Sequence, residues 1–146
     1  YWQIARELEI EEKLLDGYAI QGEIVGSKIG TNPLRLSDHR FFVFSVYSIT
    51  NQKYLDYEKF GAFCSVLGLL SVPIVSPFVV GWKIGDMTVE DLLHMADGKS
   101  VLNDKISREG IVIRPMTEMQ ELMRGVEQRL SFKIISNTYL LGEKDV

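Results

Sequence analysis

The pattern of the chain predicts a fold that mixes helices and strands, and three observations carry that prediction. Apolar residues recur at helical spacing in several separate stretches, segments of period two stand between them, and the run Phe41 to Ile49 is apolar on both faces. A strand of this last kind belongs in the interior of a sheet covered on both sides.

Taken in order, residues 1 to about 15 place Tyr1, Ile4, Ala5 and Leu8, then Ile10 and Leu14, at helical spacing, which predicts one helix or two short ones. Asp16-Gly17 ends them. Tyr18 to Val25 reads as a strand with Ala19, Gln21, Glu23 and Val25 on one face and Ile20, Gly22 and Ile24 on the other. A polar loop with Gly30, Asn32 and Pro33 leads to the aromatic strand. After the turn at Asn51-Gln52, Asp56 is placed to cap a helix reaching about Leu70, with Tyr57, Phe60, Cys64 and Leu67 on its buried side. Pro73 and Pro77 interrupt the apolar run Val66 to Val80, so a strand over Ile74 to Trp82 is expected rather than a longer helix. Thr88 with Asp91 forms a capping-box pattern for a helix carrying Val89, Leu92, Leu93 and Ala96 up to Gly98.

A polar connection over residues 99 to 108 comes next, and two further strands close the chain. Arg108-Glu109-Gly110-Ile111-Val112-Ile113-Arg114-Pro115 is a β-branched run with charge at both ends, and Ser131-Phe132-Lys133-Ile134-Ile135-Ser136 holds one lysine inside an apolar strand. A buried ammonium needs an anion or a carboxylate, so Lys133 is expected to face one. Met116 to Arg129 between them has no clean stripe and contains Gly125, which reads as a partly mobile segment.

The chain has 146 residues, 46% hydrophobic and 25% charged, enough for a sizeable core. Its net charge of −4 does not advertise a nucleic-acid binder. Acid is concentrated at the start, where residues 1–23 hold Arg6 and Lys13 against Glu7, Glu9, Glu11, Glu12, Asp16 and Glu23. The remainder is neutral overall, which leaves room for a local basic groove. No apolar run reaches the roughly 18 residues of a membrane helix, and no signal peptide is visible. The lone Cys64 excludes an internal disulfide and suits a reducing, cytoplasmic setting. His39 and His94 suggest no role.

The polar residues placed on or beside strands are Gln21, Glu23, Glu109, Arg114 and Lys133. Singly, each suits a solvated strand end or a snorkelling side chain. In combination, two carboxylates and a lysine around an aromatic strand offer a base-stacking face, a ribose or metal contact and a phosphate contact.

Four runs carry a resemblance: Tyr18-Ala-Ile-Gln21-Gly22-Glu23-Ile-Val-Gly26, Phe41-Phe-Val-Phe44-Ser-Val-Tyr47, Glu109-Gly110-Ile-Val-Ile-Arg114-Pro115 and Ser131-Phe-Lys133-Ile-Ile-Ser136-Asn137-Thr-Tyr139-Leu-Leu141. In this order and spacing the chain resembles the ATP-dependent RNA ligases, in particular the Deinococcus-type branch. The resemblance implies the covalent nucleotidyltransferase (ATP-grasp-like) fold, an α+β arrangement of two packed, mainly antiparallel sheets with flanking helices. It also implies ATP with Mg²⁺ or Mn²⁺, RNA with 5′-phosphate and 3′-hydroxyl ends as substrate, no membrane, and RNA repair through adenylylation.

By that resemblance Glu23 holds the adenylate ribose or a metal water, and Phe41 stacks on adenine, with Phe42 and Phe44 as alternatives. Glu109 binds the catalytic metal or its water shell. Lys133 contacts the α-phosphate, and Arg114 shares the phosphate contact because Ser131 stands where many relatives have a first lysine. The family's Lys-x-Asp-Gly motif, which carries the adenylylated lysine, has no counterpart here. Lys13-Leu14-Leu15-Asp16-Gly17 is one residue too long and reads as a helix end. With Tyr1 rather than Met at its start, the chain reads as the C-terminal portion, residues 1–146, of one nucleotidyltransferase domain, inactive by itself. The alternatives are a non-catalytic nucleotide- or RNA-binding module of the same fold and a DNA ligase or capping-type nucleotidyltransferase.

Overall fold

The computed structural model describes residues 1–75, 84–123 and 125–142. They fall into two compact units, residues 1–72 with 115–130 and residues 73–114 with 131–146. Mainly antiparallel sheets and flanking helices make up the α+β fold that the sequence implies.

In the first unit two short helices, α1 (Trp2–Glu7) and α2 (Ile10–Lys13), precede β1 (Tyr18–Val25). Lys13 pairs with Glu9 one turn back at 2.8 Å, and Gly17 takes φ +82° in the turn that follows. The Lys13 to Gly17 segment is thus a helix end, as its spacing indicates. β1 pairs antiparallel with β2 (Arg40–Ser48), which lies centrally because β3 (Lys53–Tyr54) and β4 (Leu70–Ser71) also bond to it. The β2–β4 pairing is parallel. Between those two short strands runs α3 (Tyr57–Leu67), which ends at Gly68 with φ +66°, short of the expected Leu70. Phe60, Cys64 and Leu67 pack with Val43, Val46 and Leu69 into the core, whereas Tyr57 is exposed. Asp56 precedes this helix without capping it. Its Oδ1 instead accepts from the Glu118 backbone N–H at 2.8 Å.

The segment Met116 to Arg129 is a β-hairpin rather than a mobile stretch: β6 (Gln120–Met123) pairs with β7 (Val126–Arg129). A two-residue connection needs positive φ, which Gly125 supplies at +80°. Leu122, Val126, Gln120, Glu121, Glu127 and Gln128 are exposed and only Arg129 is partly covered, so no buried face among these residues imposed a period on the sequence.

In the second unit the capping box forms at α4 (Val89–Ala96), with Asp91 N–H donating to Thr88 Oγ1 and Thr88 N–H to Asp91 Oδ2. β5 (Gly110–Ile113) pairs antiparallel with β8 (Phe132–Ile135), and α5 (Asn137–Leu140) follows. Of the expected strand Ile74 to Trp82, only Ile74 and Val75 are described, outside any element, and the remainder lies outside the described residues. Among the described residues no helix is long and apolar enough to cross a membrane.

Candidate functional site

In the first unit, the β1–β2 register shifts between Gln21 and Gly22: Gln21 faces Ser45, Gly22 faces Val43, and Phe44 is left as the extra residue of a bulge. Beyond it Glu23 faces Phe42 and Ile24 faces Phe41. Opposed residues share a face, so Glu23 and Phe41 project from opposite sides of the sheet. Gly22 shows why its position carries no side chain. A Cβ there would meet the Phe41 ring at 2.4 Å and the Phe42 carbonyl oxygen at 2.6 Å. The Phe41 ring lies across Gly22 and packs on the core cluster, Phe42 is only 7% exposed, and Phe44 is half-buried. Glu23 is exposed on the polar face.

That same polar face holds a constellation that no sequence pattern signals. Arg129, at the end of the hairpin, donates from Nε to Glu118 Oε2 at 2.8 Å, while a second guanidinium nitrogen pairs with Oε1. The remaining terminal nitrogen donates to Ser45 Oγ at 2.7 Å, and the guanidinium carbon lies 4.1 Å from the centre of the Tyr54 ring. These side chains come from positions 45, 54, 118 and 129, and no local pattern links residues so far apart. Arg129 and Glu118 are 19% and 14% exposed, so the pair is largely desolvated.

In the second unit, Lys133 Nζ pairs with Glu109 Oε1. The lysine meets a carboxylate, as expected, but it is not buried: the two side chains are 54% and 50% exposed. The ladder sets this up. Lys133 lies opposite Val112, Ile135 lies opposite Gly110, and Glu109 stands just ahead of Gly110. Gly110 has φ +155°, and a Cβ on it would fall 2.0 Å from the Ile134 carbonyl oxygen, so only glycine lets the strands close beside the pair. Arg114 Nε donates to Ser131 Oγ at 3.3 Å, which ties the arginine expected to share the phosphate contact with Lys133 to the strand entry two residues before that lysine.

The ladder end is anchored through Ser136, fully buried, whose N–H donates to the Glu109 carbonyl at 2.8 Å. Its hydroxyl donates to Asp97 Oδ1 at 2.5 Å and accepts from Tyr139 N–H at 3.1 Å. The Ser136 hydrogen bond, with the Thr138 and Asn137 N–H groups behind it, holds the Asp97 carboxyl below the usual aspartate range. A carboxylate depressed in the folded state stabilises above its unfolded pKa and loses that contribution as pH falls toward the folded value. Thermal denaturation of this chain should therefore show stability declining as pH drops below about 4, and Asp97→Asn should reduce that decline. An unchanged pH profile in the variant would refute the assignment.

Among the described residues no three of His, Cys, Asp and Glu cluster as a self-sufficient metal cage. The exposed Glu109 instead suits a cation that keeps several waters and takes one or two carboxylates together with phosphate oxygens, as Mg²⁺ does.

A family model described as RNA ligase matches residues 1–135. Solved structures of a Naegleria gruberi RNA ligase are similar over nearly the whole chain. One mutant with ATP and Mn aligns at 32% identity and a TM-score of 0.78, covering 99% of this chain and 40% of that one. A second mutant with ATP and Mn gives 32% and 0.77, covering 97% and 40%. The same ligase with PPi gives 33% and 0.77, covering 99% and 41%. The chain thus spans about two fifths of the length of the solved chains it matches. No curated protein matches it.

Proposed function

The chain belongs to the RNA ligase family, and on that premise we propose that it is the C-terminal portion of a nucleotidyltransferase domain that seals RNA ends with ATP. The observation that carries this reading is the Glu109–Lys133 pair, placed by Gly110 at the end of a two-stranded ladder and half-exposed. A paired carboxylate and ammonium at an accessible position can be exchanged without a change in net charge. Lys133 would turn to a phosphate and Glu109 would hold a hydrated cation, so that both side chains stay neutralised.

In this reading Lys133 neutralises the α-phosphate as pyrophosphate departs, a task suited to a compact ammonium. Arg114, held toward Ser131, shares the phosphate charge. Glu109 would hold a divalent cation, which would supply positive charge for the triphosphate oxygens. Glu23 contacts the ribose or a metal water from the polar face of the sheet. The adenine contact falls to Phe44 rather than Phe41. Phe41 is packed on the core face, Phe42 is buried, and Phe44 is the bulge residue, a position where side chains are re-aimed.

Three transfers follow. A lysine N-terminal to this chain attacks the ATP α-phosphorus and releases pyrophosphate, AMP then passes to an RNA 5′-phosphate, and a 3′-hydroxyl displaces AMP to form the phosphodiester. The test is the intact mass of the protein encoded by the complete reading frame after incubation with ATP and Mg²⁺, followed by peptide mapping. An AMP adduct on a lysine upstream of Tyr1 supports the proposal, and nicked RNA against nicked DNA separates an RNA ligase from a DNA ligase. A folded protein that binds ATP but forms no adduct would instead mark a binding module.

A further inference from the structure

Two four-residue strands make a ladder that is marginal by itself, so whatever fixes Glu109 and Lys133 must come from outside it. The C-terminal end of α4 supplies it. Arg108, immediately before Glu109, donates its guanidinium to the Met95, Ala96 and Asp97 carbonyls at 2.6, 3.0 and 2.6 Å. These are among the carbonyls a helix leaves without partners at its last turn, and a cation there also complements the helix dipole. Glu109 itself is held through its own carbonyl by the Ser136 N–H. Ser136 is fixed in turn by its hydroxyl on Asp97 Oδ1, which also accepts from the Thr138 N–H at 3.3 Å. The backbone on both sides of the Glu109 side chain is therefore tied to a single turn of helix.

A carboxylate at a helix C-terminus opposes the dipole, so helix stability alone does not favour Asp97 at this place. Its acceptor is used on the other side, by the hydroxyl and backbone that continue from β8. We propose that Asp97 is a positioning residue, acting through Ser136 to hold Glu109 in register with Lys133. It touches neither nucleotide nor metal. The inference rests on the reading of Glu109 and Lys133 given above only for its consequence in catalysis, since the geometric claim can be tested without ATP.

The test is the rate at which an acylating reagent labels the Lys133 amine in this chain, measured peptide by peptide against the other lysines. Glu109→Ala removes the partner and sets the scale. Asp97→Ala should raise Lys133 labelling by about two- to five-fold, the range expected for release of an exposed pair. Asp97→Asn, which keeps the acceptor oxygen, should leave it near the starting rate. Ser136→Ala, which frees Asp97 but keeps the ladder N–H, should move it in the same direction as Asp97→Ala and serves if the latter fails to fold. The double variant Asp97→Ala/Glu109→Ala should label no faster than Glu109→Ala alone. A general loosening would raise all the lysines together, or add to the effect of Glu109→Ala, and either result overturns the proposal. So does Lys133 labelling unchanged in both Asp97→Ala and Ser136→Ala. None of these outcomes depends on the protein being a ligase, so failure of the ligase reading, seen as the absence of an AMP adduct, remains separately visible.

Discussion

Lys133→Ala in the complete protein is expected to slow AMP transfer from ATP by about 10²- to 10³-fold, the usual cost of removing one donor from a developing phosphate charge. The same change should leave the unfolding free energy of this chain within about 0.5 kcal/mol of its starting value. The divergence follows from exposure. With about half of each side chain in solvent, the Lys133–Glu109 pair is screened and contributes little to the fold. Its value lies in being an ammonium already aimed from a ladder whose register is fixed by Gly110 and Ser136. Rapid-quench measurement of lysyl-AMP formation, set beside a denaturant titration, reads both quantities. Activity lost in proportion to stability, or activity retained, would remove Lys133 from the phosphate site.

Arg129→Ala is expected to do the reverse, costing about 1–3 kcal/mol of the first unit's stability, as leaving a partly buried hydrogen-bonding group without its partner does. Three losses combine: the Glu118 carboxylate is stranded at 14% exposure, Ser45 loses a donor, and Tyr54 loses the cation over its ring. Because Glu118 also donates its N–H to Asp56, the hairpin would lose its hold on the segment ahead of α3. Urea denaturation of the chain measures the effect. The paired substitution Arg129→Met with Glu118→Leu should recover much of the loss, since desolvation of the charges disappears with them. A loss below about 1 kcal/mol for Arg129→Ala would mean that the pair is solvated in solution and behaves as a surface bridge.

The contrast between these two arginine and lysine sites also measures what could be read in advance. Lys133 and Glu109 stood out because each breaks the pattern of an apolar strand, and the structure brings them together. Arg129 and Glu118 sit in a segment whose side chains are mostly exposed on both faces, so neither breaks a pattern. The Thr88–Asp91 capping box was legible because all its atoms lie within one helical turn. Asp56 looked like a cap by the same local rule, yet its carboxylate went to the Glu118 N–H, a partner 62 residues away. Local chemistry named the donor and acceptor types, and tertiary competition chose between them.

By itself, the sequence determined the limits of β1, the central place of β2 and the capping box of α4, because periodicity and local hydrogen bonding act over a few residues. Only the tertiary structure decided that Phe41 faces the core while Glu23 faces away from it. That outcome turns on a bulge at Phe44, and one extra residue changes which side chains share a face without altering composition or period. It also decided that a carboxylate at the end of α4 accepts from the hydroxyl of Ser136, whose own N–H bonds the Glu109 carbonyl, since Asp97 and Ser136 meet only once helix and ladder have packed.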